Sequence, residues 1–356
     1  MNILVAVDRF EDKLSSREAN NYIEEGIHKV LENSQVVKVP LFDGSKDMID
    51  GVLQWNRGKR FQWNVLGSQL QQTKVTVAGI DKNLYIDCST LFNNAGQLQE
   101  TSSTGLGQVI LNGLDLGYEA FTVALGNSTV MDGGIGMLEL LGVRFFDGNG
   151  DQLTGPLIAA DIKRIRNIDV SSIDDRLAAC EFTIISDKDY YLFGSHSHAA
   201  DIVADTEELK TMDNNIWYLN EQFKKINFNL TRPSYGGDGG GLRAVFSEIL
   251  SAEVITSKEM IFRDTNIEHL LEEADMIIFG GGTVNASKGS LVSQAIMDYA
   301  AAGKKYIYLT AGQQLPSDDT NIYHFNIYPE MTADTQDIQI GIQLQNTVMT
   351  LMRMQK

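Results

Sequence analysis

The chain has only two cysteines among 356 residues, Cys88 and Cys180, far apart and in no CxxC pattern. That leaves no thiolate metal framework and no disulfide scaffold, and both thiols read as small apolar core residues. Prolines number 5, and no long polar or proline-rich tract interrupts the pattern, so nothing suggests extended disorder. No apolar run approaches the roughly 18 residues of a membrane span. The opening Met1-Asn2-Ile3-Leu4-Val5-Ala6-Val7 runs straight into Asp8 and Arg9. A secretory leader would begin with basic residues and carry a longer apolar stretch, so the cytoplasm is the expected location. Basic charge is scarce: 29 Lys and Arg stand against 47 Asp and Glu, a net charge of −18. Such a surface repels nucleic acid and anionic lipid, and neither is an expected partner. A phosphate-bearing ligand would need backbone amides, a few placed cations or a metal ion.

Apolar residues make up 43% of the chain, and 32 glycines mark tight turns and close backbone approaches. The length suits two domains of roughly 100 to 200 residues each. Continuous apolar runs ending in Gly or Asp recur at residues 3 to 7, Val36 to Val39, Phe121 to Leu125, Met276 to Phe279 and Tyr306 to Thr310. This is the pattern of buried parallel strands that feed loops and then helices. Ser15 and Glu18 have capping-box spacing ahead of a helix whose apolar face is Ile23, Ile27, Val30 and Leu31. Between about 65 and 105 the pattern changes to alternating segments such as Thr73-Lys74-Val75-Thr76-Val77, which suits antiparallel strands. The expectation is an α/β protein of two α/β domains. One, residues 1–64 plus about 245–356, has a doubly wound Rossmann-like parallel sheet; the other, about 65–244, has a mixed sheet and is inserted into the first.

Ligands of open α/β sheets gather at the carboxyl ends of strands. Asp8 ends the first run and Asp43 follows the second, so the two could bind a metal ion or a sugar-acid hydroxyl, or else cap a loop and make a turn. The most informative segment is Gly126-Asn127-Ser128-Thr129-Val130-Met131-Asp132-Gly133-Gly134-Ile135-Gly136. It joins a strand to a helix and would present N–H groups to an anion, unless its glycines merely form a close-packed turn. Gly236 to Gly241 and Gly280 to Gly282 form two more glycine-rich junctions, which together favour a nucleotide. No Walker A loop occurs, and Asn285 stands where a dinucleotide fingerprint wants Gly or Ala. His196 and His198 lack a third ligand, and Asp147, Asn149 and Asp151 read as a plain turn. No metal ligand is assigned.

These segments resemble the glycerate kinase family, in order and over nearly the whole chain. Asp8, Phe10, Leu14 and Ser15 match its PDSFKGSLSA-like opening, and Pro40, Asp43 and Gly44 its P-x-x-DGGEGT segment. Ser103, Gly105, Gly107 and Ile110 match a T-S-x-G-T-G-E-L-I helix start. Gly126, Ser128, Asp132, Gly133, Gly134, Gly136, Met137 and Leu138 match the specific GGSATNDGGAGML loop. Asp187, Leu192 and Gly194 match D-x-x-N-P-L-x-G, and Gly280 and Gly282 match GEGR-x-D.

The resemblance implies transfer of the γ-phosphoryl group of ATP to a hydroxyl of D-glycerate or a related small hydroxy acid. Mg²⁺ would assist, and the site would lie in a cleft between two α/β domains. It makes Asp132 and Asp8 the expected catalytic residues, and Asp43, Ser128, Gly126 and Asp187 the substrate site. Ser103, Gly105, Gly107, Gly133, Gly134, Gly280 and Gly282 become the nucleotide site. A homodimer is compatible with it. The departures fall on polar positions: Glu11 replaces the family lysine, Asp12 and Lys13 follow it, and Asp43-Gly44-Ser45-Lys46-Asp47 replaces DGGEG. Thr129, Val130 and Met131 replace A-T-N, while Gly281, Thr283 and Asn285 replace an acid, an arginine and an acid. Lys13, Lys46 or Lys288 would have to supply the lost charge; otherwise the scaffold serves as a small-molecule binding or regulatory protein.

Overall fold

A computed structural model describes residues 1–10, 13–44, 46–93, 96–282, 290–299, 304–311, 322–328 and 337–354. Glu11, Asp12, Ser45, Thr283, Asn285 and Lys288 lie outside the described residues. The chain divides into two compact units. One comprises Met1–Asp43, Asp50–Asn56 and Ser257–Lys356, the other Gly44–Ile49 and Arg57–Thr256.

The first unit is built on five parallel strands in the order Ile322–Tyr328, Lys305–Ala311, Met276–Gly282, Asn2–Phe10, Gln35–Lys38. Numbered along the unit this is 5-4-3-1-2, a doubly wound order that reverses between Asn2–Phe10 and Met276–Gly282. Ile3, Val5, Met276, Ile278, Ile307 and Leu309 are buried because a parallel sheet is covered by helices. Helix Ser16–His28 lays Ile23 and Ile27 on that core, and Asp337–Arg353 adds Ile340, Leu344 and Val348. The expected capping box forms: the Glu18 N–H donates to Ser15 Oγ at 3.3 Å, and the Ser15 N–H to Glu18 Oε2 at 3.1 Å.

The second unit carries six strands in the order Glu253–Ile255, Glu181–Ile185, Ala120–Ala124, Asn83–Asp87, Gln72–Ile80, Lys59–Leu66. The first four are mutually parallel and the last two join antiparallel, so the sheet is mixed. Val75 and Val77 face the core and Lys74 faces solvent, as the alternation requires. Lys59–Leu66 pairs along its full length with Gln72–Ile80, so residues 59–64 fold with this sheet and not with the first one. Glu253–Ile255 likewise pairs with Glu181–Ile185, which carries the unit to Thr256, beyond the expected residue 244. A small antiparallel sheet, Gln152–Leu153, Arg144–Phe146 and Asn167–Asp169, sits beside the main one. Among the described residues no helix is long and apolar enough to cross a membrane.

Candidate active site

The glycine loop after strand Ala120–Ala124 closes on itself. Asp132 is 0% exposed. Its Oδ2 accepts the Ser103 N–H at 2.7 Å, the Ser103 hydroxyl at 2.8 Å and the Gly136 N–H at 3.0 Å, while Oδ1 accepts the Gly134 N–H at 2.9 Å. Ser103 Oγ in turn accepts the Met137 N–H at 2.9 Å, and the Gly133 N–H goes to the Gly240 carbonyl at 3.1 Å. The anion held by this helix start is therefore the protein's own carboxylate. Burial raises the Asp132 pKa, and the bonds from Ser103, Gly136 and Gly134 oppose that rise. Four donors from Ser103, Gly134 and Gly136 clamp this buried carboxyl to its own loop and to the neighbouring helix start.

The glycines around it are spacers. Gly133 and Gly134 have φ of +58° and +78°, and a Cβ on Gly133 would lie 2.5 Å from Leu219 Cδ2. On helix Thr104–Asp115, a Cβ on Gly105 would lie 1.7 Å from the Leu66 carbonyl oxygen, and one on Gly107 3.0 Å from that of Met137. These packing tasks account for Gly105, Gly107, Gly133 and Gly134, and the Asp132 clamp accounts for Ser103.

The carboxyl ends of the parallel strands in this unit look different. Strand Asn83–Asp87 ends on Asp87, 1% exposed, whose Oδ1 accepts the Ser89 N–H at 2.9 Å and the Ser89 hydroxyl at 2.6 Å. Burial, helped by the charge of Asp47, pushes its pKa up to about 7 against the bonds from Ser89. Strand Glu181–Ile185 runs into Ser186 and Asp187. Ser186 donates at 2.6 Å to Oδ2 of Asp238, which is 1% exposed and takes the Gly239 N–H at 2.9 Å on Oδ1. Burial pushes Asp238 up to about 6. Arg243 donates from Nη1 to Ser186 Oγ at 3.1 Å and to the Lys188 carbonyl at 3.1 Å. Asp187 is half-buried, and Gly44, at φ +77°, lies so close that a Cβ there would be 3.3 Å from Asp187 Oδ2. Gly126, at φ +55°, is half-buried at the neighbouring strand end, with Ser128 buried beyond it. Two carboxyls that titrate near neutrality, a half-exposed carboxylate and a guanidinium can together orient a hydroxyl and hold an anion.

Asp87, Ser186, Asp238 and Arg243 were not foreseen. Asp238 interrupts a glycine run and Asp87 ends an alternating strand, but neither spacing says which sheet edge the residue reaches.

In the first unit, Asp8 lies near the carboxyl end of its strand at the reversal of strand order and is 8% exposed, with Oδ1 accepting the Arg9 N–H at 2.8 Å. Burial and then the Asp8 charge push the Tyr308 hydroxyl up to about 12. Gly280 has φ +126°, and a Cβ on Gly281 would stand 2.8 Å from that of Asp8. The family acid at position 281 thus has no room beside Asp8 unless the strands shift. Gly282 packs on Phe10, and Asp43 is exposed at the end of the unit's first segment. Lys13 and Lys46 are both half-buried.

His198 is buried, takes the Gly240 N–H on Nδ1 at 3.2 Å and stacks on Tyr190 at 5.0 Å between ring centroids. Burial lowers its pKa to about 4, so it is a neutral brace for the Gly236–Gly241 loop. Asp147 Oδ1 accepts the Asn149 and Asp151 N–H groups, a plain turn.

The Glycerate kinase family model matches residues 3–354. The chain belongs to the glycerate kinase family. It is 28% identical to the glycerate kinase of Bacillus cereus over 303 residues, 80% of this chain and 78% of that one. It is 26% identical to the glycerate 2-kinase of Escherichia coli K12 over 342 residues, 91% of this chain and 88% of that one. A provisionally assigned glycerate kinase 2 from Salmonella typhimurium LT2 has the same fold in its crystal structure. Its TM-score is 0.85 at 21% identity, over 100% of this chain and 98% of that one.

Proposed function

We propose that this glycerate kinase family member is a kinase that transfers the γ-phosphoryl group of ATP to a hydroxyl of D-glycerate or a related small hydroxy acid. The observation that carries the reading is the family match from residue 3 to residue 354. The strand ends of the second unit supply chemistry of the required kind. Phosphoryl transfer needs the acceptor hydroxyl oriented, its proton received and charge neutralised. Asp187, half-exposed at its strand end, is the proposed hydroxyl-orienting carboxylate in place of Asp132. Gly126 and Ser128 border the acceptor, and Asp132 holds their loop in shape.

For the first unit the proposal keeps Asp8 as a carboxylate at the strand-order reversal, with Gly280 and Gly282 as the nucleotide-facing backbone. Among the described residues no three Asp, Glu, His or Cys side chains converge as a metal cage. That suits Mg²⁺, which is normally held by one or two carboxylates, phosphate and water. Asp87 fits such a role, since the bonds it accepts from Ser89 both fall on Oδ1. Mg²⁺ would supply neutralisation of phosphate charge. Residues 1–43, 50–56 and 257–356 are proposed as one domain, and 44–49 with 57–256 as the insertion. Cytoplasmic location and a homodimer belong to the same reading.

The second reading, a small-molecule binding or regulatory protein, is favoured by one observation: Gly281 packs against Asp8 where the family motif has an acid. Calorimetric titration of Mg·ATP and D-glycerate, followed by a coupled ADP-release assay, separates the two. Binding of both with ADP release that depends on D-glycerate is expected. Binding without turnover would favour the regulatory reading, and binding of neither at millimolar concentration would sink both.

A further inference from the structure

The positions that match the family motifs leave one requirement unmet. A chain of net charge −18 must hold an anionic acid among Asp187, Asp189 and Asp238. Of the substitute cations considered, Lys288 lies outside the described residues, Lys13 belongs to the first unit, and Lys46 belongs to the second but is half-buried. Arg243 stands at the strand ends themselves. The left-handed run of Gly239, Gly240 and Gly241 turns the chain sharply into helix Leu242–Ile249, and Arg243 falls in its first turn. There Nη1 is pinned by the Ser186 hydroxyl and the Lys188 carbonyl, on either side of Asp187 in the chain. Its Nε is buried without a partner, and Nη2 bonds no described residue. A guanidinium presents its donors as a rigid fork. Two bonds fix this fork in place, and the remaining donors are unspent.

We propose that Arg243 recognises the carboxylate of the hydroxy-acid substrate and makes the enzyme select acids over neutral polyols. The inference rests on the kinase reading above and adds the residue that sets its substrate class. One guanidinium among carboxylates matches a single planar carboxylate in charge and shape. A triphosphate of several negative charges would be repelled by the same neighbours, so the nucleotide is not its ligand.

The test is calorimetric titration of D-glycerate and, separately, of Mg·ATP into the wild-type chain, R243M and R243K, with melting curves on each. ADP release is then compared with D-glycerate and with glycerol. In R243M the D-glycerate Kd should rise by roughly tenfold to a hundredfold, as expected for loss of a charge-assisted pair. The Mg·ATP Kd should stay within about twofold, and the preference for D-glycerate over glycerol should fall by the same factor as binding. R243K, which keeps the charge and loses the fork, should fall between; if R243M does not fold, R243K alone decides. An unchanged D-glycerate Kd in both variants, or an equal loss for Mg·ATP, overturns the inference. If the wild-type chain binds no D-glycerate, the proposed substrate fails, and glycolate and lactate are titrated next. Arg243-dependent binding of either keeps the inference, and binding of none overturns it.

Discussion

The second unit contains two glycine-rich junctions that each bury one aspartate, and they behave in opposite ways. Asp132 receives four hydrogen bonds, all from its own loop and the neighbouring helix start. Asp238 receives two, from Ser186 and Gly239, and shares its surroundings with Arg243 and the end of strand Glu181–Ile185. The first junction uses its donors on itself; the second leaves donors over. A glycine loop ahead of a helix thus signals an anion without saying whose. At Asp132 the anion is internal, and at Ser186, Asp238 and Arg243 the residual donors point to an external one.

The largest expected effect breaks the sealed junction. Asp132→Ala strands the Ser103, Gly134 and Gly136 donors in the interior, at roughly 1 to 3 kcal/mol per buried group and on the order of 5 kcal/mol in total. Urea unfolding should show that loss directly. A variant as stable as the wild type would mean that Asp132 is no clamp. At the open junction the effect should instead fall on turnover. Asp187→Asn is expected to lower kcat at least about a hundredfold, close to 3 kcal/mol of barrier, with a melting temperature within about 1 °C. Equal damage to stability would make Asp187 structural and erase the contrast.

The third test uses pH. Asp87 and Asp238 ionise in the folded state near 7 and 6, against 3.8 for an ordinary aspartate. Between those limits the folded chain holds protons that the unfolded chain has released. Stability is therefore highest toward pH 4 and declines from there until pH passes 6 to 7, by roughly 3 to 4 kcal/mol per group. Asp87→Asn keeps a helix-capping side chain and removes one such decline, so its melting temperature should gain on the wild type as pH rises from 5 to 8. A constant difference would show that Asp87 is already ionised at pH 5. The smallest effect is at a glycine of the other sort. Gly150, at φ +85° with open space around it, should lose only about 1 kcal/mol on substitution by Ala. A thermal-melt loss as large as that of Gly105→Ala would deny the distinction between turn glycines and spacer glycines.

Much of the architecture was legible because burial imposes periodicity. The runs at residues 3 to 7 and Met276 to Phe279 are strands since both faces of a parallel sheet are covered, and the alternation at Thr73 to Val77 marks a sheet with one face wet. The boundaries were less legible. Lys59–Leu66 alternates no more clearly than its surroundings, and its eight-residue pairing with Gln72–Ile80 decides its sheet. The family loop around Asp132 was found by motif, but the four bonds that close on its carboxyl were not, because a glycine kept for space and a glycine kept for a ligand look alike in sequence. Gly105, 1.7 Å from a carbonyl were it alanine, is the plainest case. Arg243 escaped notice because it lies 56 positions from Asp187 in the chain, and only the left-handed turn at Gly239 to Gly241 brings it beside Ser186.

The most direct test of the account is steady-state ADP release by the purified chain with Mg·ATP and D-glycerate, run in parallel on Asp187→Asn. The account predicts saturable, D-glycerate-dependent turnover that falls at least about a hundredfold in the folded variant. No turnover in the wild type, or turnover untouched by Asp187→Asn, would contradict it.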